Sequence, residues 1–571
     1  MTPVILILIL TAVIAVLAVR QERGDARKKT EMYNRQFGSL STSRLTENCR
    51  KHAGSRARSR HMADPEMFYV DDLTWSDLEM DRIFDAIDTG LSPAGREYLY
   101  TSLRLPLMAS KKAADLDSLA SEFQNDSSRR EKTYQCFENL RRGSRLRSDR
   151  RDVLSLYEYL DTLTSLKPVS CLPSAAACAA FLASIVFFLF SPSAGILVLM
   201  AVIAVNLGSY FHIRGKLGNY FRSLQKAVQL SDFARRYSRT FPEDSSGPAG
   251  RVGVLARELA PLRRNAWLLE AGGTNSSLPD IIMSYIRMLT HCDLIYFCVS
   301  AAKAGRYRDD LMELYDTAGL IETALAAASL RQASPVWCRP KFVSERCLKL
   351  DDVFHPLINK CVPNSVNLEK NLLLTGSNAS GKSTFLRTAA ISVLLGEAID
   401  TVPAASAEMA SFAVMSSMSV SDSLESGASL YMAEIHSLKR ITDAAEQSTQ
   451  PILVCADEIL RGTNTAERIA GSTEILRWLG KRSCLVMAAT HDAELTHLLE
   501  EDGSGGFVNM HFSENTDESG VVFSYKILDG PADTSNAIRL LKRSGFPEEI
   551  TQRARKDADA FLHRGQAGCN I

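Results

Sequence analysis

The segment NLLLTGSNASGKSTFLRTAAISVLL (371–395) leaves this chain the fewest options for its fold. An apolar run short enough for a strand meets a loop of pattern G-x-x-x-x-G-K-S, and a helical pattern follows at once. Such a loop needs glycine where the backbone must curve, and Gly376 and Gly381 supply it. The loop amides then converge on a phosphate, and the N-terminus of the next helix favours the same anion. Strand, loop and helix in that order imply a sheet with crossover helices. Four further β-rich runs agree: PILVCA (451–456), CLVMAAT (484–490), FVNMHF (507–512) and VVFSYKIL (521–528).

The loop defines a candidate nucleotide site made of Gly376, Ser377, Asn378, Ala379, Ser380, Gly381, Lys382, Ser383 and Thr384. Lys382 is expected to meet the β- and γ-phosphates of ATP, and the Ser383 hydroxyl to ligate Mg²⁺. PILVCADE (451–458) ends in two carboxylates that would be costly to bury unpaired. At a strand end they suit a metal–phosphate site: Asp457 in the Mg²⁺ shell, Glu458 polarising an attacking water. His491, in MAATHD at the end of the following strand, could sense the γ-phosphate or orient that water. Lys382, Glu458 and His491 are therefore the candidate catalytic residues of an ATPase.

Composition narrows the setting. Lys+Arg and Asp+Glu balance at 66 each, so net charge neither favours nor excludes nucleic acid. The 12 cysteines include no C-x-x-C pair, which argues against a zinc site or a disulfide framework and suits a reducing compartment. Two long stretches, 1–19 and 168–213, contain no Asp, Glu, Lys or Arg, and the second is broken by Ser191-Pro192-Ser193. An apolar run of about 20 residues spans a bilayer, so they read as one anchor plus a two-helix hairpin. The alternatives are a signal peptide and a buried helical hairpin. Arg20, Arg23, Arg27, Lys28 and Lys29 after the first stretch, with Lys167, Arg214 and Lys216 around the second, put those flanks inside. Three crossings then leave the ATPase region on the cytosolic face of the cell membrane.

Together, GSNASGKSTFLRTAAISVLLGEAIDTVPA, DEILRGTNT and ATHDAEL resemble the ATPase domain of the MutS family, a branch of the ABC-type ATPases. HPLI (355–358) and PNSVNL (363–368) fit that family's lead-in, and 523–555 its closing strand and dimerising helices. Residues 70–106 resemble the start of its helical core. The resemblance implies an α/β P-loop domain at the C-terminus, preceded by a mostly α-helical, MutS-core-like region that transmembrane helices interrupt. The expected division is anchor 1–20, basic linker 21–61, helical region 62–167, hairpin 168–213, lever-like helices 214–345, ATPase domain 346–532 and dimerisation segment 533–571.

It also implies a homodimer in which Ser429, within ESGASLYMAEI (425–435), reaches the γ-phosphate held by the other chain's Lys382. Asn378 would touch that phosphate in cis, and Arg461 and Thr463 would line the interface. Cys361 stands where the family commonly stacks an aromatic ring on adenine; Phe354 is nearby. The first 60 residues leave no room for the family's mismatch-reading domain. The client therefore stays open: mismatched, branched or damaged DNA, a protein recruited by an ATP-switched membrane scaffold, or, least expected with three anchors, a transported solute. The arginine-rich 141–151 stretch suits lipid or nucleic-acid phosphate, or a solvated helix end.

Overall fold

The computed structural model describes residues 31–557 except 43, 66, 107–110, 143–153, 165–168, 244–245, 270–277, 378–379, 419–429, 501–505, 517–520, 533–537, 539–540 and 543. The first apolar stretch (1–19), most of the arginine-rich stretch, Asn378, Ala379 and Ser429 therefore lie outside the described residues. Two compact units form. One holds residues up to Phe68 together with Phe84–Pro335; the other holds Tyr69–Ile83 together with residues from Val336 on.

The first unit is helical throughout its described residues. Its centre is the helix Arg308–Ala333, nearly all buried between Leu311 and Arg331, which packs against Pro93–Arg104 and Lys111–Asn125. Close approach of the first two needs glycine on both sides. A Cβ on Gly319 would fall on the Tyr98 side chain, and one on Gly95 on the Glu322 carboxylate. Two fully buried carboxylates then serve as helix caps. Glu322 accepts from Leu91 N and Ser92 N (both 3.0 Å) at the start of Pro93–Arg104. Glu97 accepts from Leu156 N (2.8 Å), Tyr157 N (3.0 Å) and Tyr315 Oη (2.6 Å) at the start of Leu156–Thr164. Orphan amides at a helix start are natural partners for an anion. Burial nevertheless pushes both carboxyls up to about 7.

The same unit carries the hairpin, as helices Leu172–Phe190 and Pro192–Lys216. Proline at the first helical position restarts the chain after Ser191. Both helices are long and apolar enough to cross a membrane, and only 11% and 17% of their apolar windows are buried.

The second unit contains ten strands among its described residues: β1 (Lys341–Phe342), β2 (Leu348–Val353), β3 (Asn364–Leu368), β4 (Asn371–Thr375), β5 (Ser406–Met409), β6 (Ala413–Ser417), β7 (Ile452–Asp457), β8 (Cys484–Ala489), β9 (Phe507–Thr516) and β10 (Val521–Asp529). The larger sheet has the order β10-β9-β4-β8-β7-β6. Its members are parallel except β10, which runs antiparallel to β9. The central strands β4 and β8 are buried at every position, as a sheet covered on both faces requires. The smaller sheet, β1-β5-β2-β3, begins at Lys341, ahead of the expected domain start at 346.

The edge of the larger sheet at β6 is covered by residues far away in sequence. The short helix Asp72–Asp77 lies on it: Ser416 N donates to Thr74 Oγ1 (3.1 Å), while Ser416 Oγ and Met418 N donate to Asp77 Oδ2 (2.7 and 2.9 Å). Covering an edge strand in this way closes a site of unwanted strand addition.

Candidate nucleotide site

The site is built where β4, β7 and β8 end side by side. β8 lies between the other two, so the ends of β4 and β7 stand about 10 Å apart at the usual strand spacing. That gap is bridged from the β4 side by the first turn of the helix Lys382–Ile399.

The loop after β4 takes two left-handed glycines, Gly376 (φ +142°) and Gly381 (φ +114°). At Gly376 a Cβ would meet Ser380 Oγ at 3.0 Å and Phe512 O at 3.2 Å, so the backbone is hemmed in as well as curved. Lys382 is buried, and its Nζ donates to Gly376 O (2.7 Å) and Ser377 O (2.9 Å), which holds the cation inside the loop. Ser380 is buried too, its Oγ without a partner among the described residues. Gly381 caps the helix without a side-chain bond, leaving the amides of the first turn, where Thr384 is half-buried, to face an anion.

Across the gap, Ser383 Oγ donates to Asp457 Oδ2, and Asp457 Oδ1 is buried without a partner among the described residues. Burial raises the Asp457 carboxyl above its ordinary value and neighbouring Glu458 adds to this, while Ser383 and Lys382 oppose it. A hydroxyl beside a carboxylate with one oxygen left over fits a hard divalent cation such as Mg²⁺, which takes few protein oxygens and keeps the rest of its shell for phosphate and water.

Glu458 and Leu460 both have positive φ (+53° and +60°), so the chain turns sharply on leaving β7. Non-glycine residues in that region cost on the order of 1–3 kcal/mol each and tend to mark functional turns. The turn presents the Glu458 carboxylate to an imidazole and a guanidinium. Oε1 lies 2.5 Å from His491 Nε2 at the end of β8, and Oε2 lies 3.1 Å from Arg461 Nη1. Arg461 Nε also lies 3.7 Å from Glu434 Oε1. A Cβ on Gly462 would meet Tyr431 Cβ at 2.8 Å, so this loop rests on the helix Leu430–Gln447, which directly follows Ser429. Thr463 Oγ1 donates to Glu467 within the same chain (2.8 Å).

Lys382, Ser383, Asp457, Glu458 and His491 are thus brought together at the ends of β4, β7 and β8. Two residues come to the site without having been singled out. Glu434 backs Arg461 from a buried position. Tyr525 overhangs the loop, its Cδ1 3.4 Å from where a Gly381 Cβ would stand. Tyr525 sits at a register shift in β10 with φ +52°, 45% exposed, while Asn364 Nδ2 donates to its carbonyl (2.9 Å). The alternation of Phe523, Tyr525 and Ile527 was the available signal, but a bulge cannot be read from alternation. Cys361 is occupied locally, its Sγ accepting from His355 N at 3.4 Å.

Residues 372–562 match the MutS domain V family. The DNA mismatch repair protein MutS of Thermus thermophilus is 33% identical over 249 residues, covering 43% of this chain and 29% of that protein. The Streptococcus sanguinis protein of the same name is 32% identical over 263 residues (44% and 30%), and that of Streptococcus suis 33% over 260 residues (44% and 30%). The match therefore spans under a third of these relatives' length. With its phosphate loop, acidic strand end and strand-end histidine in one α/β sheet, this C-terminal region is similar to domain V of the MutS family.

Proposed function

We propose that the chain is a membrane-anchored ATPase that binds and hydrolyses ATP with Mg²⁺ at two composite sites of a homodimer. The observation that carries this reading is the convergence of Ser383, Asp457, Glu458 and His491 at neighbouring strand ends. Lys382 and the loop amides bind the phosphates. Ser383 and Asp457 would hold Mg²⁺, which when bound neutralises charge on the β- and γ-phosphate oxygens. Glu458 accepts the proton of the attacking water, and His491, within hydrogen-bond reach, orients that carboxylate. Tyr525 offers the adenine a ring in the role that Cys361 cannot fill. Ser429 completes the partner's site, so that bound ATP holds the dimer closed and hydrolysis releases it.

The relatives' name, DNA mismatch repair protein, supports DNA as the client, bound near the cytosolic face of the cell membrane. The exposed hairpin favours a second reading, a membrane scaffold whose ATP-driven closure acts on a protein. Both rest on the same trap. Glu458→Gln should bind ATP, stay dimeric and turn over at least about a hundredfold more slowly, the usual scale for losing a general base. The detergent-solubilised trap is then offered duplex, mismatched and junction DNA at low salt. Retention of DNA that falls steeply with salt supports the DNA reading, and no retention of any DNA removes it. Full-rate hydrolysis by a strictly monomeric wild type would reject the composite site.

A further inference from the structure

We propose that the helix Leu278–Thr290 is a third membrane element, seated in lipid beside the hairpin. The inference rests on the hairpin being inserted in a bilayer, and goes beyond it by assigning a partner, phospholipid, to a helix that composition does not mark as membrane-bound.

The helix packs against both hairpin helices. The fastening is polar and specific. Asn206, 2% exposed within Pro192–Lys216, donates from its amide nitrogen to Ala177 O (2.9 Å) on the other hairpin helix and to Leu289 O (2.8 Å) on the third helix. The Leu289 carbonyl is one of the last four of its helix and has no partner within it. Just beyond, His291 turns the chain with φ +52°, fully buried, its Nε2 3.0 Å from Asn206 O. Asp293 then accepts from Tyr210 Oη and Arg214 Nη1, both at 2.9 Å. An unpaired amide in hydrocarbon costs several kcal/mol, so Asn206 is tolerable there because these carbonyls satisfy it.

Depth follows from helix geometry. At 1.5 Å per residue, Asn206 lies about 12 Å short of Arg214, well within the apolar stretch. A helix bound at that level shares the hairpin's medium. It cannot cross on its own: its 13 residues make about 20 Å, against the 20 or so residues that a crossing takes. It also presents Tyr285 and Ile286 outward, 61% and 43% exposed. An exposed aromatic ring beside an exposed aliphatic side chain suits contact with lipid.

The test uses the full chain in phosphatidylcholine–phosphatidylglycerol vesicles containing a little diazirine-bearing phospholipid, with adducts mapped by mass spectrometry after irradiation. Adducts are expected on 172–216 and also on 278–290, the latter at least roughly fivefold above the soluble helix Thr465–Gly480 as background. Adducts on 172–216 with 278–290 at background would overturn this inference alone. Adducts on neither would overturn the membrane reading, and this inference with it. Tyr285→Asp combined with Ile286→Asp, both at exposed positions, should remove the adducts on 278–290 and leave those on 172–216. Undiminished labelling of 278–290 in that variant counts against lipid contact through this face.

Discussion

Replacing Glu397 by Gln should make the unit that carries the nucleotide site more stable at neutral and alkaline pH and leave it nearly unchanged in acid. Glu397 lies in the last turns of the helix that begins at Lys382, and is 2% exposed. Its Oε1 accepts from Phe412 N (2.7 Å) and Ser411 Oγ (3.5 Å), while Oε2 is buried without a partner among the described residues. Burial raises the carboxyl from 4.5 to about 8, so the folded protein keeps a proton that the unfolded chain releases. The sign follows: the stability this proton confers is complete below about 4.5, declines as pH rises, and is gone above about 8. The difference of 3.5 between these two values, at 1.36 kcal/mol each, gives about 5 kcal/mol in all, of which about 3 is already lost at about pH 7. Gln keeps the acceptor for Phe412 N and cannot ionise. Because the chain has two units, the assay is local: hydrogen exchange of amides in Lys382–Ile399, compared between variant and wild type at each pH. Protection should differ by about twofold at about pH 4.5 and by about three-hundredfold at about pH 7 in favour of the variant. A ratio that does not change with pH would refute the reasoning, since it would mean that the carboxyl titrates alike in the folded and open states.

Three other expectations concern the site directly. Lys382→Ala should weaken ATP binding by at least about a hundredfold, because a charge-assisted contact to phosphate is lost; fluorescent-nucleotide titration reads it. Tyr525→Ala should weaken nucleotide binding about 5- to 150-fold, the scale of one base–aromatic stack, and Tyr525→Phe should restore it; an unchanged affinity in the Ala variant would remove Tyr525 from the adenine site. Ser429→Ala should leave binding nearly intact while cutting hydrolysis, and a variant that hydrolyses normally would reject a role in the partner's site.

How much of this was legible in sequence depended on distance along the chain. The phosphate loop, the acidic strand end and His491 each sit in a contiguous strand-plus-turn signature, and the strands found run within a few residues of the runs that announced them, as at Asn371–Thr375 and Cys484–Ala489. What stayed hidden were partnerships between remote segments. Residues Tyr69–Ile83 read as the opening of a helical region, yet they join the C-terminal unit, where Arg387 Nε donates to Asp77 O (2.8 Å) and Arg440 pairs with Asp71. Asp77, a charged residue within that segment, is 5% exposed against Ser416 and Met418. Glu97 and Glu322 are likewise charged residues that cap helices inside a core. The common cause is that a carboxylate is stable in a core only when amides or hydroxyls are brought to it from elsewhere, and single-segment periodicity carries no record of those donors. The two carboxylates at the end of β7 were readable for the opposite reason. Asp457 and Glu458 end an apolar strand, a place where charge would be unfavourable unless something outside the strand needs it, and that conflict is written within eight consecutive residues, PILVCADE.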